Sequence, residues 1–308
     1  MAGSPTFVHV GVALILSAGL VACGDPPESE SAAPLNWSAD DSSRIAWLEL
    51  NGDTIVNASV RIWFPADSIP RELVSHVSDQ LDRAVPYLNR LIGAPLEWQR
   101  HRGRITIYLA ADRFIAHLSS SGAVVIPASS AVDGSAPYLH EISHVLLQPI
   151  GPHRPAEFVD SAEAERVRTV RALWLVEGFP DYLAQETAAA LSFAEGDVFD
   201  TGGPLGVDST CAAYLADPAN ERVKTAIGSP GELSALFTEN RETVAPAFYT
   251  CAYSFTKFLV EATSPRFVAS LFPIMAQGQV EDRIAQQTGQ TVAMLRAAWV
   301  DRLRDGGS

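Results

Sequence analysis

The segment YLHEISHVLL at residues 138–147 constrains this chain more than any other. His140 and His144 stand four apart, with Glu141 between them, inside an otherwise apolar run. Residues four apart lie on one face of a helix, so both imidazoles point the same way. Leu139, Ile142, Val145, Leu146 and Leu147 are available to bury the rest of the helix. One reading makes the histidines half-buried polar residues on a packed helix. A second imidazole four residues on, with a carboxylate between, makes that reading less economical than a shared metal ion. Zinc takes imidazole and carboxylate ligands in tetrahedral geometry and, where it is catalytic, leaves one position for water. Glu141 lies about 100° round the helix from His140. It can face that water without ligating and act as general base.

A third ligand is expected from ALWLVEGFPDYLAQE, residues 172–186. Glu177 follows Trp174, Leu175 and Val176 in a second apolar helical run, and a buried carboxylate is costly unless it is paired or bound to a metal. Asp181 comes four residues later, on the same face if the helix continues. It can accept the free ring N–H of a ligating histidine, His140 before His144, which fixes the tautomer and raises basicity.

Around these segments the periodicity predicts an α+β fold: a small mixed β-sheet with an edge strand beside the HExxH helix, then a mostly helical half. Residues 45–64 read as two β-prone stretches flanking a turn at Asn51-Gly52-Asp53. Residues 71–92 read as a helix with Pro86 inside it and a stop at Gly93. RITIYLA at 104–110 is a strand, DRFIAHL at 112–118 a short helix, and GAVVIPA at 122–128 a strand that Pro127 assigns to an edge. An exposed strand edge can hold an extended peptide by backbone hydrogen bonds, and GAVVIPA immediately precedes the HEISH helix. That helix is expected over 136–147, with Ser135 as N-cap and Pro137 in its first turn. Residues 161–187 read as largely helical, with an interruption at Gly178 and Pro180. Residues 190–210 read as a surface loop, and 211–216, 230–237, 246–263, 265–276, 279–287 and 291–303 as helices.

The chain begins differently. Residues 7–22, FVHVGVALILSAGLVA, form an apolar run of signal-peptide length that ends at Cys23. Small residues before such a cysteine resemble a bacterial lipoprotein signal, in which Cys23 would carry lipid. The run is short for a membrane-spanning helix and has no basic stop-transfer flank, and the MAGSPT flank before it has no Lys or Arg. The expected organisation is a signal peptide at 1–22, a flexible tether at 23–44, a mixed α/β subdomain at 45–135 and a helical metal-binding subdomain at 136–308. The folded part is then exported and anchored on the extracytoplasmic side. Cys211 and Cys251 either form a disulfide there or stay as two buried thiols. A formal net charge of −14 excludes nucleic acid as a natural partner.

HEISH followed by WLVEGFPDYLA resembles the gluzincin branch of zinc metallopeptidases, especially short bacterial proteins with a peptidase MA-like domain. The resemblance extends over roughly residues 70–303. It implies a zincin-like fold, zinc held by His140, His144 and Glu177, and Glu141 as catalytic base. Its E-x-x-x-D spacing matches Glu177 and Asp181. FYTCAYSFTKFLVEATSP at 248–265 is similar to the family's next helix, which supplies an oxyanion-binding tyrosine; Tyr249 matches best and Tyr253 is second. The 33 residues from His144 to Glu177 imply an extra loop or lid at 149–165, where Arg154 stands, with Arg166, Arg168 and Arg171 following. Those arginines either read a substrate carboxylate or form a solvated face.

The expected function is therefore a zinc peptidase acting on peptide or protein substrates. The alternatives are a zinc hydrolase of a non-peptide amide or ester, and a lipid-anchored binding protein with a vestigial metal site. The sequence does not assign an oligomeric state.

Overall fold

A computed structural model describes residues 37–93, 103–111, 116–119, 121–147, 172–194, 206–229 and 241–306. The expected signal peptide, Cys23, the loop at 149–165, Arg166, Arg168, Arg171 and the helix at 230–237 lie outside the described residues. The described chain is α+β, with eleven helices and a five-stranded mixed sheet. No helix among the described residues is long and apolar enough to cross a membrane.

The sheet grows from a hairpin. In β2 (Val60–Phe64) the alternate residues Val60, Ile62 and Phe64 are fully buried, the period of a strand with one face in a core. β1 (Asp53–Val56) pairs with it antiparallel, Ile55 opposite Ile62. The turn between them is built by Asn57, whose Oδ1 accepts the N–H groups of Ser59 and Val60 at 2.9 and 2.8 Å. This corrects the expected hairpin around Asn51-Gly52-Asp53. Residues 37–51 instead form helix α1 (Trp37–Asn51). IAWLEL carries Ile45 and Leu48 three apart as well as a β-prone composition, and packing of Leu48 against Tyr108, Ala110, Ala123 and Val125 decides for the helix. Gly52 closes it, donating to Leu48 O at 2.7 Å.

Helix α2 (Arg71–Ile92) crosses the sheet. Val74, Val77, Leu81, Ala84, Val85, Leu88 and Ile92 are buried at helical spacing. It runs through Pro86 and ends at Gly93 in the left-handed conformation, φ 68°. β3 (Ile105–Ala110) and β5 (Val124–Pro127) follow, parallel to β2 and to each other. β4 (His117–Leu118) lies antiparallel on the far side of β5, so the strand order is β1-β2-β3-β5-β4. Two expectations change here. Residues 117–118 are strand, not helix, and Val124–Pro127 is an inner strand, not the edge. β4 covers only Val124 and Val125, so Pro127 lies past the end of that ladder, where its missing N–H costs no bond on that side.

A short helix, α3 (Ala128–Asp133), turns the chain through Gly134 into α4 (Tyr138–Leu147). Ser135 does not cap α4 as expected. Its N–H and hydroxyl both go to Asp133 Oδ1, and α4 starts after Pro137, whose carbonyl accepts the Glu141 N–H at 3.0 Å. Helix α5 (Leu173–Leu191) runs unbroken through Gly178 and Pro180. It packs against both α4 and α8 (Arg241–Ala262), and that packing outweighs the hydrogen bond lost at the proline. The remaining helices are α6 (Val207–Ala216), which begins inside the expected loop, α7 (Glu221–Ala226), α9 (Pro265–Ala269), α10 (Val280–Thr288) and α11 (Val292–Gly306). A 3₁₀ turn at Phe272–Gln277 follows α9.

One face of the sheet, with α2, α4, α5 and α8, forms the main core. The other face is covered by α1 through a smaller cluster. Trp37–Ser308 forms one compact unit. Residues 37–44, expected as tether, belong to α1, and residues on both sides of position 135 share the main core.

Cys211 on α6 and Cys251 on α8 form a disulfide, both residues fully buried. It closes a loop across 40 positions of sequence. Replacing both by serine is expected to cost about 2–4 kcal/mol, measured as a fall in the urea midpoint of the oxidised protein.

Candidate metal centre

Helices α4 and α5 lie side by side and bring three donor atoms together. His140 Nε2 lies 3.0 Å from His144 Nε2, and Glu177 Oε2 lies 3.6 Å from each of those nitrogens. Bonds of about 2.0–2.1 Å in tetrahedral geometry put donor atoms roughly 3.3–3.4 Å apart, so the triangle has the right size for one small ion. His140, His144 and Glu177 thus form a group that could bind a metal ion. Their side chains are 13–18% exposed, buried enough to fix the donors and open enough to admit an ion.

The supporting contact is as expected. Asp181 Oδ1 meets His140 Nδ1 at 2.6 Å. The ring N–H donates to the carboxylate, which directs the Nε2 lone pair toward His144 and Glu177. Asp181 can reach because α5 continues through Pro180 and keeps Glu177 and Asp181 on one face.

The charges respond accordingly. Burial alone would lower the His140 pKa, but the charge and hydrogen bond of Asp181, with smaller help from Glu177 and Glu141, raise it well above the ordinary value. Burial would raise Glu177, but the hydrogen bonds and charges of His140 and His144 hold it well below the usual carboxylate range. Glu141, 5% exposed, is pushed up by burial, against the opposing pull of His140 and His144. The two carboxylates beside the histidines are therefore driven apart. Glu177 is held as an anion, and Glu141 is pushed toward its neutral form.

Gly178 has a role the sequence reading missed. A Cβ there would lie 2.3 Å from Ala252 O and 2.7 Å from Thr256 Oγ1. The backbone of α8 therefore rests directly against α5 one residue from Glu177, with the Trp174 and Phe255 rings packed against each other at a tilt, 4.9 Å between centroids. The sequence offers only a weak signal for it: a glycine inside a helical pattern, tolerated at a cost of about 1 kcal/mol against alanine.

Helix α8 also carries both tyrosines. Tyr249 is 39% exposed and packs edge-on against Phe248. Tyr253, one turn on, is partly buried, and its pKa is raised by burial first and then by the carboxylates of Glu186 and Asp181. Tyr253 thus shares the electrostatic environment of the carboxylate that holds His140.

No family model matches the chain, and no curated protein matches it.

Two outcomes follow from that geometry. Gly178→Ala is expected to destabilise the fold by about 1–3 kcal/mol and to weaken metal binding, because α5 must move off α8 to admit the methyl group. Thermal unfolding and metal titration on the same preparation measure the two effects. In the metal-free protein the charge and hydrogen bond of Asp181 raise the His140 pKa, so its imidazolium persists to higher pH than that of a free histidine. Metal binding is then expected to release about one proton per site and to weaken as the pH falls. Calorimetric titration in two buffers of different ionisation enthalpy reads the proton count directly.

Proposed function

We propose that the chain is a zinc-dependent peptidase of the gluzincin type. The observation that carries this reading is the joint placement of three ligand atoms with a buried, non-ligating Glu141 on the same helix. A binding protein with a purely structural ion has no use for a costly buried carboxylate beside it. Imidazole and carboxylate donors at tetrahedral spacing favour zinc, held by His140, His144 and Glu177.

Zinc at this position supplies Lewis acidity toward a carbonyl oxygen and makes water a nucleophile near neutral pH. The chain's own groups do the rest. Glu141 takes the proton from the attacking water at its carboxylate and passes it to the leaving amine nitrogen. Its raised pKa suits both transfers. Asp181 keeps the His140 ring in one orientation throughout. A phenolic O–H from Tyr249 or Tyr253 donates to the carbonyl oxygen as negative charge develops there. An extended peptide backbone is accommodated along β4, the strand at this end of the sheet, which packs beside α4.

The disulfide supports the export expected from residues 1–22, because such bonds persist in oxidising compartments. Cys23 is the proposed point of lipid attachment, placing the enzyme on the extracytoplasmic side of a bacterial membrane.

The test combines metal analysis with hydrolysis of a peptide library. The wild-type protein is expected to bind one zinc ion and cleave peptides. Glu141→Gln is expected to keep the zinc and lose roughly 10²–10⁴-fold in kcat. Protein that stays metal-free when zinc is supplied, or a Glu141→Gln variant of undiminished activity, sinks the proposal.

A further inference from the structure

Asp41 is a buried carboxylate that the proposed chemistry does not use. It lies on α1, 3% exposed. Its Oδ2 lies 2.9 Å from Nε2 of His117 on β4, and its Oδ1 accepts a weaker bond from Arg44 Nη1 at 3.4 Å. Taking a carboxylate out of water costs several kcal/mol unless its partner is well placed. Here the partner comes from 76 positions away, on the outermost strand of the sheet.

β4 is two residues long, and among the described residues it has a ladder on one side only, to β5. Its turn is closed by Ser119, whose N–H donates to Ala123 O at 2.8 Å and whose Oγ accepts the Ala123 N–H at 3.1 Å. Residues directly opposite in a ladder point to the same face. Leu118 is opposite Val124, a residue of the main core on the α4 side. His117 is opposite Val125, a residue of the cluster under α1. β4 is thus pinned from both faces: by Leu118 in the main core and by the Asp41–His117 pair beneath α1.

We infer that Asp41 and His117 are positioning residues for the substrate-binding edge: by fixing β4 from behind, they set the strand along which an extended peptide lies beside the metal helix. Helix α1 is then part of the binding apparatus and more than a cover for the sheet. The second half of this inference rests on the peptidase reading; the first half does not. β4 itself packs beside α4, the helix that carries His140, Glu141 and His144.

The experiment uses the full chain with zinc, comparing wild type, Asp41→Asn, His117→Ala and His117→Gln. Hydrogen exchange read by mass spectrometry is expected to speed up about tenfold or more at amides 117–119 in Asp41→Asn and His117→Ala. The α4 and α5 amides and the zinc stoichiometry are expected to stay unchanged. His117→Gln keeps a donor toward Asp41 and is expected to restore much of the protection. For a peptide the wild type cleaves, KM is expected to rise about tenfold in the two damaging variants, with kcat within about twofold. Unchanged exchange at 117–119 overturns the positioning role. Loss of protection throughout α4 and α5 overturns it too, since the pair then serves the whole fold. Faster exchange with KM unchanged overturns the assignment of β4 as the substrate edge. A wild-type zinc protein that cleaves no peptide counts against the peptidase reading alone, and the exchange data still decide whether Asp41 and His117 hold the strand.

Discussion

Everything at the candidate metal centre depends on how α5 is gripped. One side of this helix meets α8 so closely that a methyl group at Gly178 would enter the backbone of Ala252. The other side presents Glu177 and Asp181 to α4. A helix held that tightly can neither roll nor slide without opening the core, so its carboxylates keep their positions before any ion arrives. Trp174, Phe179 and Leu183, all at most 2% exposed, extend the grip along its length. Pro180 survives in mid-helix for the same reason: the neighbours determine the path.

The electrostatics build on that rigidity. Four ionisable side chains, His140, His144, Glu177 and Asp181, are drawn out of water into one region. Each is tolerable only because another neutralises it. Removing any one leaves its partner with an uncompensated charge, so the cluster stands or falls together in the metal-free protein. Glu141 is the exception. It is pushed toward its neutral form by burial, while His140 and Glu177 are pushed toward charge.

The site was far more legible in the sequence than the sheet edge. His140, His144, Glu177 and Asp181 are spaced by four within two apolar runs, and helical geometry converts that spacing into proximity with few assumptions. α2, β3 and α11 were readable for the same reason, since their periodicity is strong and long. α1 and β4 were not. The segment around Ile45 and Leu48 fits either period, and only the apolar surface of Tyr108 and Val125 selects the helix. β4 has two residues, too few to carry a period, and exists because Val124 and Val125 offer it a ladder. The tie between Asp41 and His117 had no local signal, since neither residue predicts the other across that separation. Cys211 and Cys251 likewise stood as two open possibilities until α6 and α8 were side by side.

The position of Asp41 within α1 has a mechanical consequence. The compact unit starts at Trp37, and Asp41 stands one helical turn further on. Any tension on the chain before Trp37 enters the fold through that first turn and arrives almost at once at the contact with His117. A pull from the N-terminal side therefore reaches β4, an edge strand of the sheet, through the Asp41–His117 contact.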